Sequence, residues 1–177
     1  MILPIFTYGE KILRDKANEV VDFNDPTLPA FIADMFETML NANGVGLAAP
    51  QVGVDKCIII VEEELTEGEI FKGVFINPKI ISVFGRKVLM KEGCLSFPGI
   101  CENIVRNESI DIEWSDEKGE KHRDFFHGVP SRILQHEIDH VNGALMSDLF
   151  DSGDRLMNFM KFEAIKNKKV KPLYPIV

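Results

Sequence analysis

The chain has 177 residues, enough for one domain with a real core, and its 45% apolar and 27% charged residues are those of an ordinary globular protein. A formal net charge of -8 argues against a nucleic-acid binder, because neutralising phosphates requires a basic surface. No apolar run approaches a membrane span, the opening MILPIFTYGEKILRDK lacks the basic lead and long apolar centre of a signal peptide, and three cysteines, Cys57, Cys94 and Cys101, make a disulfide framework improbable, so a cytoplasmic setting is expected.

The first helix signal is LPAFIADMFETMLNANG (28–44), with Phe31, Ile32, Met35, Phe36, Met39 and Leu40 at three- and four-residue spacing on one stripe. Pro29 suits the first turn and Gly44 lies past the end. GVGLAAPQVG (44–53) follows. Its three glycines and two alanines leave the backbone open to close approach by a ligand, and Gln51 is its one amide side chain. It lacks the G-K-[ST] ending of a phosphate loop.

KCIIIVEEE (56–64) is a strand ending in charge, and GVFINPKIISVFG (73–85) reads as strand, Asn-Pro break, strand. KEGCLSFPG (91–99) is a short loop after the strand run. SIDIEWSDEKGEKHRDFF (109–126) alternates Ile110, Ile112 and Trp114 before a Lys-Gly turn, which predicts a hairpin. Helical spacing returns from Pro130, with Ile133, Leu134, Ile138 and Val141 on one side and Gly143 as the stop. DRLMNFMKFEAIKNKK (154–169) predicts a C-terminal helix with Leu156, Met157, Met160 and Ile165 inward; its basic end reads as a solvated tail. No repeat or linker divides residues 1–177, so one domain is expected. Helix, antiparallel strands, then helices is an α+β order.

Within QHEIDHVNG (135–143), His136 and His140 stand four apart. On a helix that spacing aims two imidazoles at one point, as a divalent metal requires, and Glu137 can reach a metal-bound water as general base. A His pair alone is more often a solvated helix face; the full H-E-x-x-H pattern on a segment with helical apolar spacing reverses those odds. Asp139 and Gln135 are candidates to hold an imidazole tautomer. For the third ligand two possibilities stand: the downstream carboxylates Asp148, Asp151, Asp154 and Glu163, as in zinc endopeptidases, or the upstream Cys94, whose Gly93 and Pro98-Gly99 neighbours mark a shaped loop. Cys57, in an apolar run, reads as a buried structural cysteine, and Cys101 takes the same reading less firmly.

Taken together, GVGLAAPQ, EGCLS and QHEIDH in this order resemble peptide deformylase, and ILPIFTYGEKILR is similar to that family's opening segment. The resemblance implies antiparallel β-sheets packed around a central helix carrying H-E-x-x-H, with an N-terminal and a C-terminal helix. It implies removal of the formyl group from the N-terminal formyl-methionine of new polypeptides, releasing formate. It makes Cys94, His136 and His140 the metal ligands and Glu137 the general acid–base, with Gln51 and the Leu95 N–H donating to the oxyanion. It implies Fe2+ as the cofactor, with Zn2+, Ni2+ or Co2+ accepted. The methionine side chain would enter a pocket of Val45, Glu92, Val129, Ile133 and the flank of His136, and the peptide backbone would pair with Val45, Gly46 and Gly99. Formyl-methionyl nascent peptides are the implied partners, with transient ribosome contact and neither nucleic-acid specificity nor membrane attachment. The chain departs from the family pattern at Cys101, where Arg is common on the peptide path, and at His127, Pro130 and Val141. A zinc endopeptidase and a non-catalytic relative are the rival readings; the five intact residues Gln51, Cys94, His136, Glu137 and His140 speak against the second.

Overall fold

The computed structural model describes residues 1–177, the side chain of Glu67 excepted. Five strands form an antiparallel sheet in the order β1-β2-β3-β4-β5: β1 is Gly46–Ala48, β2 Ile58–Glu64, β3 Ile70–Gly93, β4 Cys101–Ser115 and β5 Lys121–His127. The helices are α1 (Leu28–Asn41), α2 (Gly128–Val141) and α3 (Ser152–Lys166). The fold is α+β, as the order of sequence patterns predicts.

β2 explains how two helices come to flank the sheet. Its run Ile58-Ile59-Ile60-Val61 is buried throughout, as in a strand covered on both faces. Side chains alternate across a strand. Ile58 and Ile60 therefore join Ile32, Met35 and Met39 of α1 in one core cluster, while Ile59 and Val61 join Ile133, Leu134, Ile138 and Val141 of α2 in another. α2 starts with Pro130 inside its first turn, where a missing N–H is harmless, and stops before Gly143, which has φ 73°. Packing buries nearly all of α2, including Arg132, Gln135, His136, Glu137 and His140.

Four details differ from the sequence reading. The Asn-Pro break does not divide a strand: β3 runs through it with a register shift between Ile76 and Lys79. Asn77 takes φ 54°, and its amide accepts from Val20 N at 2.9 Å and donates to Val20 O at 2.8 Å, replacing lost ladder bonds. In α1 the stripe is rotated: Leu40 is 50% exposed, and Thr38 is buried instead, its hydroxyl donating to Asp34 O and accepting from Leu3 N.

The third difference is the face of α3. Leu156, Met157 and Met160 are 79%, 76% and 75% exposed, and of the four residues expected inside only Ile165 is buried. Asn158, Phe162 and Ile165 face inward, a spacing just as helical. Asn158 donates to Glu102 Oε1 at 2.7 Å, and Phe162 packs on the rings of Tyr8, Phe97 and Phe150. A buried polar anchor hid the inner face from a reading by apolar spacing. Cys57 is buried in the core beside α2, whereas Cys101 is exposed, contrary to the structural reading. Among the described residues no helix is long and apolar enough to cross a membrane.

Candidate active site

α2 holds His136 and His140 one turn apart, with ring centroids 5.1 Å from each other. Cys94 reaches them from the irregular loop 94–100 that joins β3 to β4, and its Sγ lies 3.2 Å from His140 Nε2. One ligand atom from each of the three residues lies within 4.8 Å of the other two. Ligands about 2.0–2.3 Å from a tetrahedral ion are roughly 3.5 Å from one another, so the cluster has the size of a metal site. The downstream carboxylates are engaged elsewhere. Asp148 pairs with Arg14 at 2.6 Å, Asp151 caps α3 by accepting from Asp154 N at 2.8 Å, and Glu163 is exposed.

The two imidazoles differ in their electrostatics. Burial opposes a charged His136 ring, yet the Cys94 sulfur and the Glu92 carboxylate outweigh it and raise the pKa well above the ordinary value. Burial, with His136 and Arg106, drives His140 the other way. His140 Nδ1 has no hydrogen-bond partner among the described residues.

Glu92 was expected only as pocket lining. Its carboxylate accepts from His136 Nδ1 at 2.9 Å, from Arg106 Nε at 2.7 Å and from Arg132 at 2.8 Å. Burial works against its ionisation, but the hydrogen bonds from His136 and Arg106 hold it at about 2. It therefore fixes the His136 tautomer so that Nε2 is left for a metal. Asp139 and Gln135, the sequence candidates for that task, touch neither imidazole: Asp139 pairs with Arg106 at 2.7 Å, and Gln135 donates to Asn107 O and Ser131. Nothing in the sequence spacing marks this role of Glu92, which comes to His136 from β3 across 44 positions of the chain.

Glu137 is buried, and its Oε2 has no partner among the described residues. Burial pushes its carboxyl up to about 7, His136 and Arg106 opposing and Glu92 and Asp139 adding. A buried carboxylate oxygen left unpaired is costly unless a ligand uses it. Gly46 of β1 lies directly against this side chain: a Cβ there would stand 2.5 Å from Glu137 Oε1.

Gln51 sits in the 3-10 turn Ala49–Val52. Its Oε1 accepts from Ala48 N at 2.9 Å, which commits the amide nitrogen to the other side, 3.6 Å from Cys94 Sγ and 3.1 Å from Ser96 Oγ. The Leu95 N–H has no acceptor among the described residues. Both donors border a cavity of about 480 Å3 that Gly46, Gly99 and Cys101 also line. Val45, Glu92, Val129 and Ile133 come together around a second cavity, of about 200 Å3. The two cavities share Val45, Gly93, His136 and Glu137, so they meet beside Glu137 and His136. His127, at the entrance to α2, bonds Ser109 at 2.9 Å and takes no part.

A family model described as polypeptide deformylase matches residues 2–155. A peptide deformylase of Chlorobaculum tepidum is 45% identical, the alignment covering 99% of this chain and 94% of that protein. One from Christiangramia forsetii is 40% identical over 98% and 94%. Among solved structures, a peptide deformylase from Legionella pneumophila superposes with a TM-score of 0.85 at 36% identity, covering 97% of this chain and 100% of that one. A Met-Ala-Ser-bound class I type b peptide deformylase from Acinetobacter baumannii has a TM-score of 0.80 at 36% identity, covering 85% and 99%.

Proposed function

The chain belongs to the polypeptide deformylase family, hydrolases that remove the formyl group from the N-terminus of new polypeptides, and we propose that it does so at the junction of its two cavities, with Cys94, His136 and His140 holding one divalent ion. The observation that carries this reading is the convergence of one sulfur and two imidazoles beside an unpaired buried carboxylate. When bound, the ion supplies Lewis-acid chemistry, lowering the pKa of water toward neutrality. Fe2+ is the proposed metal in the cell, and Zn2+, Ni2+ or Co2+ suit the same donor set.

Glu137 takes a proton from the attacking water and returns it to the departing amine, so that formate and a free N-terminus are released. A carboxyl held near 7 is suited to both halves of that transfer. Gln51 Nε2 and the Leu95 N–H donate to the formyl oxygen as charge builds on it; losing one such donor typically costs about 10²–10³ in rate. The methionine side chain occupies the smaller cavity, among Val45, Glu92, Val129 and Ile133. The following residues lie in the larger one against the backbone of Val45, Gly46 and Gly99, with Cys101 at the margin. The Acinetobacter relative binds Met-Ala-Ser, which supports a peptide beginning with methionine as the occupant. Formyl-methionyl nascent peptides are the substrates, met in the cytoplasm during transient ribosome contact, and residues 1–177 act as one domain.

Metal analysis of anaerobically purified protein, with formate release from a formyl-methionyl peptide, tests the reading. Glu137→Ala keeps the metal and loses most turnover; Cys94→Ser loses metal. A Cys94→Ser protein with full metal content and activity overturns the ligand assignment, and cleavage of internal bonds in casein would instead make it an endopeptidase.

A further inference from the structure

Residues 167–177 lie beyond the segment that the family model matches, yet they return to the active site. The tail runs beside residues 5–7 as a strap: Ile5 N donates to Pro175 O at 2.9 Å, Val177 N donates to Ile5 O at 2.9 Å, and Thr7 Oγ1 donates to Val177 O at 3.1 Å. Lys168 ties the same strap to Glu10. From it Tyr174 turns inward, lines the larger cavity with Cys94, Leu95 and Glu137, and donates its hydroxyl to Leu95 O at 2.8 Å.

That bond adds to the anchoring of loop 94–100. The loop has no regular structure, and its first four carbonyls are each met: Cys94 O by Phe97 N, Ser96 O by Tyr8 N, and Phe97 O by Ile100 N, at 2.9, 2.9 and 3.0 Å. Leu95 O is met only by Tyr174 among the described residues. Leu95 O belongs to the peptide unit immediately after the one that carries the Leu95 N–H, which has no acceptor among the described residues. With Leu95 O and Ser96 O both held, rotation about the Leu95 backbone is stopped on its C-terminal side. An oxyanion donor contributes fully only if it is already aimed when charge develops.

We propose that Tyr174 is a positioning residue for deformylation, its hydroxyl fixing the Leu95 peptide so that the Leu95 N–H stays aimed at the formyl oxygen. The inference rests on the reading of the reaction given above. It makes the C-terminal strap part of the active site and predicts an effect on turnover that a mere cleft wall would not have.

The test is Tyr174→Phe, which removes one oxygen and keeps the ring. Formate release from formyl-Met-Ala-Ser is followed at a temperature well below the variant's own Tm, with metal content measured on the same sample. The expected result is a kcat lower by about five-fold, the rate equivalent of one neutral hydrogen bond, with KM changed by less than about two-fold and metal per chain unchanged. A kcat equal to that of the parent protein overturns the proposal. A raised KM at constant kcat also overturns it, because Tyr174 would then only line the cleft, and metal loss would place its action on Cys94 instead. If the parent protein itself releases no formate, the reading of the reaction fails; if it does and the Phe variant matches it, only the role of Tyr174 fails.

Discussion

Gly46→Ala isolates the placement of the base from every other property of the site. The glycine does not have a positive φ, so alanine suits the backbone, and its pairing with Val61 in the sheet uses main-chain groups alone. The obstacle is Glu137. An added Cβ would lie 2.5 Å from Oε1 and 2.8 Å from both Cδ and Cγ, where ordinary contact starts at 3.4 Å. The carboxylate must therefore retreat by about 0.9 Å, the gap between those distances. Misplacing a catalytic group by about 1 Å costs on the order of 100-fold. Steady-state formate release should thus show kcat falling about 100-fold, with metal content intact and KM nearly constant, since the backbone groups that would pair with the peptide survive. A variant that keeps kcat within about three-fold would refute the placement of Glu137 as the group that moves the proton. So would one whose loss appears in KM alone.

Glu92→Gln should weaken metal retention by about 10- to 100-fold against a chelator, because the acceptor that fixes His136 Nδ1 is diminished. It should also lower stability by about 3–5 kcal/mol, because Arg106 and Arg132 lose their buried counter-charge; unchanged chelator resistance would show that helix geometry alone orients the ring. The Glu92 carboxyl is held at about 2, below its ordinary 4.5, so its stabilisation is complete above 4.5 and is lost as pH falls through 2. The variant should flatten that part of the Tm-against-pH curve, and a curve of unaltered slope would remove Glu92 from the acid response. On α3, Met157→Lys should change stability by no more than about 0.5 kcal/mol, while Phe162→Ala should cost about 3–5 kcal/mol. The reverse order in thermal melts would return Leu156, Met157 and Met160 to the inner face.

Elements marked by a regular apolar pattern were legible before any coordinates. The continuous Ile-Ile-Ile-Val run, the hairpin around Gly119 and the helix of Ile133, Leu134, Ile138 and Val141 all stand where their patterns put them. What escaped was burial by polar groups. Asn158 under α3, Thr38 under α1 and Asn77 in β3 each satisfy backbone or carboxylate groups that apolar periodicity does not register. The same blindness shaped the site. The H-E-x-x-H spacing and the E-G-C loop pointed to a metal centre, but the partner of His136 was sought on its own helix, at Asp139 and Gln135. The partner, Glu92, comes from a strand more than forty residues away, a relation that only the fold reveals.

This division has a physical consequence for how the centre is kept in order. Two of the proposed ligands and the proposed base ride on one helix that packing immobilises from nearly every side, so sequence spacing sets their backbone positions while Glu92 holds the His136 ring. The third proposed ligand and a proposed oxyanion donor sit on a loop with no internal ladder, and loops of that kind rock unless their carbonyls are held. The carbonyls of Cys94, Leu95, Ser96 and Phe97 find partners in the loop itself, in Tyr8 near the N-terminus and in Tyr174 near the C-terminus. The chain ends thus meet beside the least regular part of the centre, where order is hardest to obtain locally. Precision at the formyl group is supplied by the helix core on one side and by the two joined termini on the other.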